Sequence, residues 1–438
     1  VNRGLKLLEN CVMRWNRRRR LGFESLESRE MLASSASIVS GALVVSSDVA
    51  SVLLIKQTAA NAWSVTDNGN PVGAGTFSGV TGNVIIQTSA NDDQVTVDLQ
   101  NNTAPRSIQA NLGDGINQFS ILNGTVRQNV LLYGGAGNDT VDLTNLKVGP
   151  ATSLMLGNGD NTVRVNSGNY GSMYVGTGTG DDAVVLGDGV SATKFSSAVT
   201  FVDGGGPNDS LVMKDKTTIG MFYLQTVAVN NVQLDAGSKI FGSLYVTGGF
   251  NVANSLTVNN EITGFGTFTG SGGVDTVNFG STAKFGKAVL VNLKDGNDVA
   301  NLQGTYGTTL NVNAGLGDDT VSVDGTVAAS VVALLGDGND LFSIAAKVGT
   351  APTLLNRLVV DAGKGNDQVA VRAAAVINGR LDIKLGEGDD SFSLDDAAFV
   401  VGAKIDGGIG TDTYFGTRPR TNVTDLAFEA FLAGPPPF

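Results

Sequence analysis

The chain of 438 residues carries 59 glycines, 9 prolines, 6% aromatic residues, no histidine and a net charge of −12 at pH 7. Without histidine there are no imidazole general bases, no Ser/His/Asp or Cys/His nucleophile pairs and no His-ligated metal, and the one cysteine, Cys11, excludes an internal disulfide. Residues 1–31 hold eight Arg or Lys against four Glu, leaving 21 basic and 37 acidic residues beyond them; this acidic body, at a net −16, repels phosphate backbones and disfavours nucleic acid as a partner.

Residues 1–33 differ in composition from all that follows and read as an export or targeting leader. They have the basic start of a secretory signal, with a diluted apolar stretch over 31–45; a short basic amphipathic helix is the alternative. The segment 17–33 resembles the LEPR-XLL leader of exported and surface proteins of planctomycete bacteria. Phe23, Glu24, Leu26, Glu27, Arg29 and Leu32 fall on that pattern, while Ser28 stands where proline is usual. The resemblance implies export, hence a secreted or cell-surface location. No run of 18 apolar residues occurs, so no transmembrane helix is predicted.

Strand-like runs at 42–45 and 51–55 predict an N-terminal cap or irregular first coils over 34–84. From 85 to 416 the chain repeats. An Asp or Asn recurs at 93, 117, 139, 161, 182, 209, 230, 254, 275, 298, 319, 340, 367, 390 and 412, at intervals of 21 to 27 residues. Around each anchor the apolar residues alternate, as in Leu381 and Ile383 before Asp390 and Phe392 and Leu394 after it, the mark of strands with one buried face. A unit of about 22 residues cannot close a core alone, whereas stacked units bury a continuous apolar column. The expected fold is therefore all-β, a parallel and right-handed β-helix of about 15 coils, on the order of 70 Å long at about 4.8 Å per coil. The two 27-residue intervals place insertions at 189–197 and 348–356. Residues 417–438 are expected to supply a C-terminal cap, with a last strand over 423–431 and a tail containing Pro435, Pro436 and Pro437.

The turns carry the candidate chemistry. Gly135-Ala136-Gly137-Asn138-Asp139, Gly315-Leu316-Gly317-Asp318-Asp319 and Gly386-Glu387-Gly388-Asp389-Asp390 resemble the Gly-Gly-x-Gly-x-Asp repeats of RTX-type calcium-binding β-rolls. That family repeats its nonapeptide in tandem, whereas here one turn falls in each coil. The resemblance implies calcium, with Asp139, Asp182, Asp298, Asp319, Asp340, Asp367, Asp390 and Asp412 as ligands along one acidic edge. Ca²⁺ takes six to eight oxygens, so adjacent turns would share an ion. The alternative is that glycine serves a sharp corner and the Asp bonds backbone or forms a ladder. Asn117, Asn161, Asn230 and Asn254 interrupt the acids and leave blocks at 139–182 and 298–412. The functional expectation is an exported, non-catalytic, structural or adhesive solenoid with extracellular or cell-surface polymers or proteins as partners, its oligomeric state open. The rival is a β-helical polysaccharide lyase or glycosidase, which needs convergent acids, for a lyase beside a basic residue.

Overall fold

The computed structural model describes residues 34–432 apart from 105, 221, 222, 251, 352, 354, 396, 397, 400, 401, 416–422, 427 and 429. The leader and the proline tail lie outside the described residues. Among the described residues every regular element is a β-strand. No helix there is long and apolar enough to cross a membrane.

One coil shows the plan. Leu310–Leu316 forms the first face, a glycine turn follows, Thr320–Val323 forms the second face and Thr326–Val327 a short third column, after which Val331–Asp337 lies one coil on. Leu310, Val312 and Ala314 point inward and are buried, while Asn311 and Asn313 face out, because successive side chains of a strand alternate. Registers match like with like: Leu310 pairs with Val331, Val331 with Leu358, Leu358 with Leu381 and Leu381 with Ala403. Sequence intervals that vary by several residues thus become a constant step in space, with the excess expelled into loops. The first face is an 18-stranded sheet. The second face and third column share a sheet, since Gln118–Val126, Thr140–Val148 and Thr162–Tyr170 run through both.

The N-terminal end combines a coil with a cover. Ala42–Ser47 and Val52–Ala59 pair in parallel with Val84–Gln87 and Gln94–Asp98, so coiling begins there. Ser34–Val39 adds an antiparallel edge, and Ala62–Asp67 and Asn70–Ser78 complete a meander that lays Trp63 and Phe77 over the end of the core. At the other end the single strand expected over 423–431 is two, Val423–Leu426 on the first face and Ala430–Leu432 on the second. The insertions are narrower than expected, because Thr193–Phe195 and Lys347–Val348 are regular strands of the third column. What protrudes is the loop around Val190 and the loop ending near Leu355, both strongly exposed.

Stacked Val, Leu and Ile fill the interior, with aromatic pairs in some coils. Tyr170 stacks on Phe195 with centroids 5.3 Å apart and Phe285 on Tyr306 at 5.7 Å. Burying each such side chain is worth about 1.5–3 kcal/mol, which over so many coils is the main source of stability.

Candidate metal centre and the turn ladders

A sharp corner leaves backbone N–H groups with no strand partner, and each must find an acceptor. In the turn at 363–367, Gly365 N–H donates to Glu387 O of the next coil at 2.8 Å. Asn366 N–H donates to Asn339 Oδ1 of the previous coil, and Asp367 N–H to Asp390 Oδ1 of the next, both at 2.8 Å. These last two bonds recur along the molecule as side-chain ladders of opposite direction.

The inner ladder is made by the anchors. Asp275, Asp298, Asp319, Asp340, Asp367 and Asp390 each donate their N–H to Oδ1 of the following anchor at 2.6–3.0 Å. Asp93, Asn117, Asp139, Asn161 and Asp182 do the same at 2.7–3.1 Å. The outer ladder uses the residue before the anchor where that residue is Asp or Asn, and runs the other way: Asp318 N–H to Asn297 Oδ1, Asn339 to Asp318, Asn366 to Asn339 and Asp389 to Asn366, at 2.7–3.1 Å.

The location of the acids differs from the sequence expectation of an acidic edge. Asp139, Asp182, Asp298, Asp319, Asp340, Asp367, Asp390 and Asp412 are at most 1% exposed. The carboxylates that reach solvent belong to the outer ladder, such as Asp160, Asp181, Asp318 and Asp389. The anchors turn inward because the corner's own N–H groups require acceptors there. Lys364, in the turn beside them, pairs with the exposed Asp337 at 3.2 Å and not with an anchor.

One oxygen of most ladder carboxylates is poorly provided for. Where the anchor is Asn, its amide donates to the turn: Asn161 Nδ2 reaches Gly157 O at 3.2 Å and Gly159 O at 2.8 Å. Where it is Asp, that branch is an acceptor, and Oδ2 of Asp298, Asp319, Asp340, Asp367 and Asp390 is buried without a donor. Burial, with neighbouring carboxylates adding to it, pushes Asp298, Asp319 and Asp367 up to about 7 and Asp340 and Asp390 up to about 6. A proton or a cation satisfies such an oxygen; a bare charge does not.

The acids converge most closely in the coil with the loop at Val190. Asp182, Asp203 and Asp209, all buried, bring one oxygen each to within 4.8 Å of one another. Asp203 Oδ1 accepts from Thr177 Oγ1 at 2.8 Å and Oδ2 from Gly205 N–H at 2.5 Å. Asp209 Oδ1 accepts from Asp182 N–H at 2.9 Å and Oδ2 from Gly206 N–H at 3.0 Å. With its amide oriented to satisfy both neighbours, Asn230 adds a bond to Asp209 Oδ2 at 2.9 Å. Asp182 Oδ2 is buried with no donor at all. Among the described residues no ion pair reaches the three acids. Burial raises Asp182 and Asp203 above the usual carboxylate range and takes Asp209 up to about 6, with the Asp203 carboxylate contributing.

Comparison with protein-family models, curated proteins and solved structures gives no match. The case for this centre therefore rests on its own geometry. Three buried carboxylates this close cannot all stay charged unless a cation joins them, so the centre holds either shared protons or a divalent ion. Of the eight expected ligands only Asp182 belongs to it. Asp203 escaped the sequence reading, although a signal exists. The inward positions of this strand run Val199, Phe201, Asp203, where other coils run Val331, Ala333, Leu335 or Leu381, Ile383, Leu385. An acid at the third inward position, followed by Gly204-Gly205-Gly206, breaks a pattern that is apolar in those coils.

Proposed function

We propose that the protein is an exported structural or adhesive β-solenoid of the cell surface or extracellular matrix, stabilised by calcium where its acids converge. The observation that carries this reading is how the anchor side chains are used. Their oxygens bond one coil to the next along the molecule, an investment in continuity of the stack that a single catalytic cleft would not need. The leader resemblance supports export. A carbohydrate-active enzyme of the lyase type would need a basic residue beside converging acids, and none of the ion pairs among the described residues supplies one at Asp182, Asp203 and Asp209.

Calcium is tested by thermal melts at pH 7.5 in EDTA and in millimolar CaCl₂, on the wild type and on Asp203→Leu and Asp203→Asn. An ion that binds only the folded state at 100 times its dissociation constant adds about 2.7 kcal/mol. The wild type is expected to melt several degrees higher in calcium and both variants to lose most of that gain. A wild-type midpoint indifferent to calcium removes the ion from the proposal.

A further inference from the structure

We propose that the outer surface of the third strand column, at a trough between Lys147 and Phe241, binds an acidic polysaccharide; the proposal deepens the adhesive reading and rests on it. The register places one outward position of every coil in a single file: Lys147 pairs with Asn169, Asn169 with Lys194, Lys194 with Thr218 and Thr218 with Lys239. The file continues through Glu261 and Lys284 to Thr305, Thr326 and Lys347. Five lysines and one glutamate thus occupy one strip of a chain whose net charge is −12. The strip lies on a different column from the turn ladders.

The trough, of about 360 Å³, lies beside this file where the corner residues are Gly149, Gly171, Ser196 and Gly220. A Cβ at Gly171 would stand 2.2 Å from Pro150 O, so the floor is bare backbone and cannot be filled by a side chain without moving the coil beneath. The stacked Tyr170 and Phe195 support it from inside. Lys147 and Lys194 flank it two coils apart, roughly 10 Å by strand spacing, and both are exposed with no ion pair among the described residues. Phe241, half exposed, closes one end, with Lys239 Nζ 4.8 Å from its ring centroid and bonded to Glu261 at 2.8 Å.

An open trough with a flat floor suits an extended polymer, an exposed ring offers a platform for a sugar face, and cations two coils apart ask for anions at similar spacing. An acidic polysaccharide, with its charges separated by whole sugar units, meets that demand. A nucleic acid duplex carries a charge about every 1.7 Å of its axis, and most of those would face an acidic protein with no partner.

The test is titration calorimetry on the full chain with polygalacturonate and heparin oligosaccharides, dextran and a DNA oligomer of equal charge. The expected result is binding of at least one acidic oligosaccharide and no binding of dextran. Affinity should fall at least tenfold in Lys147→Glu/Lys194→Glu and severalfold in Phe241→Ala, with melting points within two or three degrees of wild type. Binding that ignores the lysine substitutions, or DNA bound as tightly as the sugar, overturns the assignment. Retention on intact cell surfaces separates this site from adhesion itself. Loss of retention in the lysine variant alone supports the trough; equal retention of variant and wild type overturns it and leaves adhesion standing; retention of neither overturns adhesion.

Discussion

Gly365→Ala is expected to cost about 3–5 kcal/mol, among the largest effects open to a single methyl group in this fold. Gly365 has φ +126°, a conformation that alanine avoids, and its added Cβ would lie 1.8 Å from Gly338 O. That carbonyl belongs to the same turn one coil earlier, and its peptide is fixed by the Asn339 N–H bonded to Asp318 Oδ1 at 2.7 Å, so it has little room to retreat. The neighbouring Lys364→Ala removes only an exposed ion pair with Asp337, worth at most about 1 kcal/mol, and is the control. Coils in a stack contact mainly their neighbours, so the damage should be local first. Hydrogen exchange is expected to show protection lost around 338–388 at temperatures where the N-terminal coils remain closed. Equal melting curves and exchange patterns for the two variants would contradict the account of the turn.

Acidification is expected to stabilise the protein, the reverse of the usual behaviour of paired carboxylates. The anchors' folded values near 6–7 lie above the ordinary 3.8, so the folded state binds protons that the unfolded state releases. That contribution is complete below about pH 4 and is lost as pH rises through 6 and 7. In EDTA the midpoint of unfolding should therefore fall between pH 5 and pH 8. Asp319→Asn/Asp367→Asn should melt higher than wild type at pH 8 and show a shallower slope, because the amide donates to turn carbonyls as Asn161 does. A wild-type midpoint that is flat or rising over this range would show that the ladder carboxylates are charged and satisfied by something else. The same variant at pH 8 in calcium distinguishes proton from cation: if calcium fills the ladder, the wild type gains from it and the variant gains less.

The coils were legible because period-two alternation is dense and the anchor recurs so regularly that loops of different length could not disguise it. The inward turn of the anchors was less so. Asp is rarely buried, and pairs such as Asp318-Asp319 and Asp389-Asp390 give no immediate sign of which member faces the interior. The sign is positional constancy within the chain. The anchor is Asp or Asn in every unit, and in most of them its short side chain accepts the N–H of the preceding anchor, whereas the residue before it can be Ile116, Val229, Val274 or Thr411. Asp203 was hidden differently. Its coil carries extra residues, and the Gly204-Gly205-Gly206 run that follows it masks the strand alternation from Val199 that carries it to the core.

Because each inner-ladder oxygen recognises a main-chain N–H, one coil accepts another without regard to the side chains that distinguish them. Units such as 320–340 and 341–367 are therefore interchangeable parts at their most constrained point. Adding or removing such a unit leaves the same N–H to carboxylate bond available between the coils that then become neighbours.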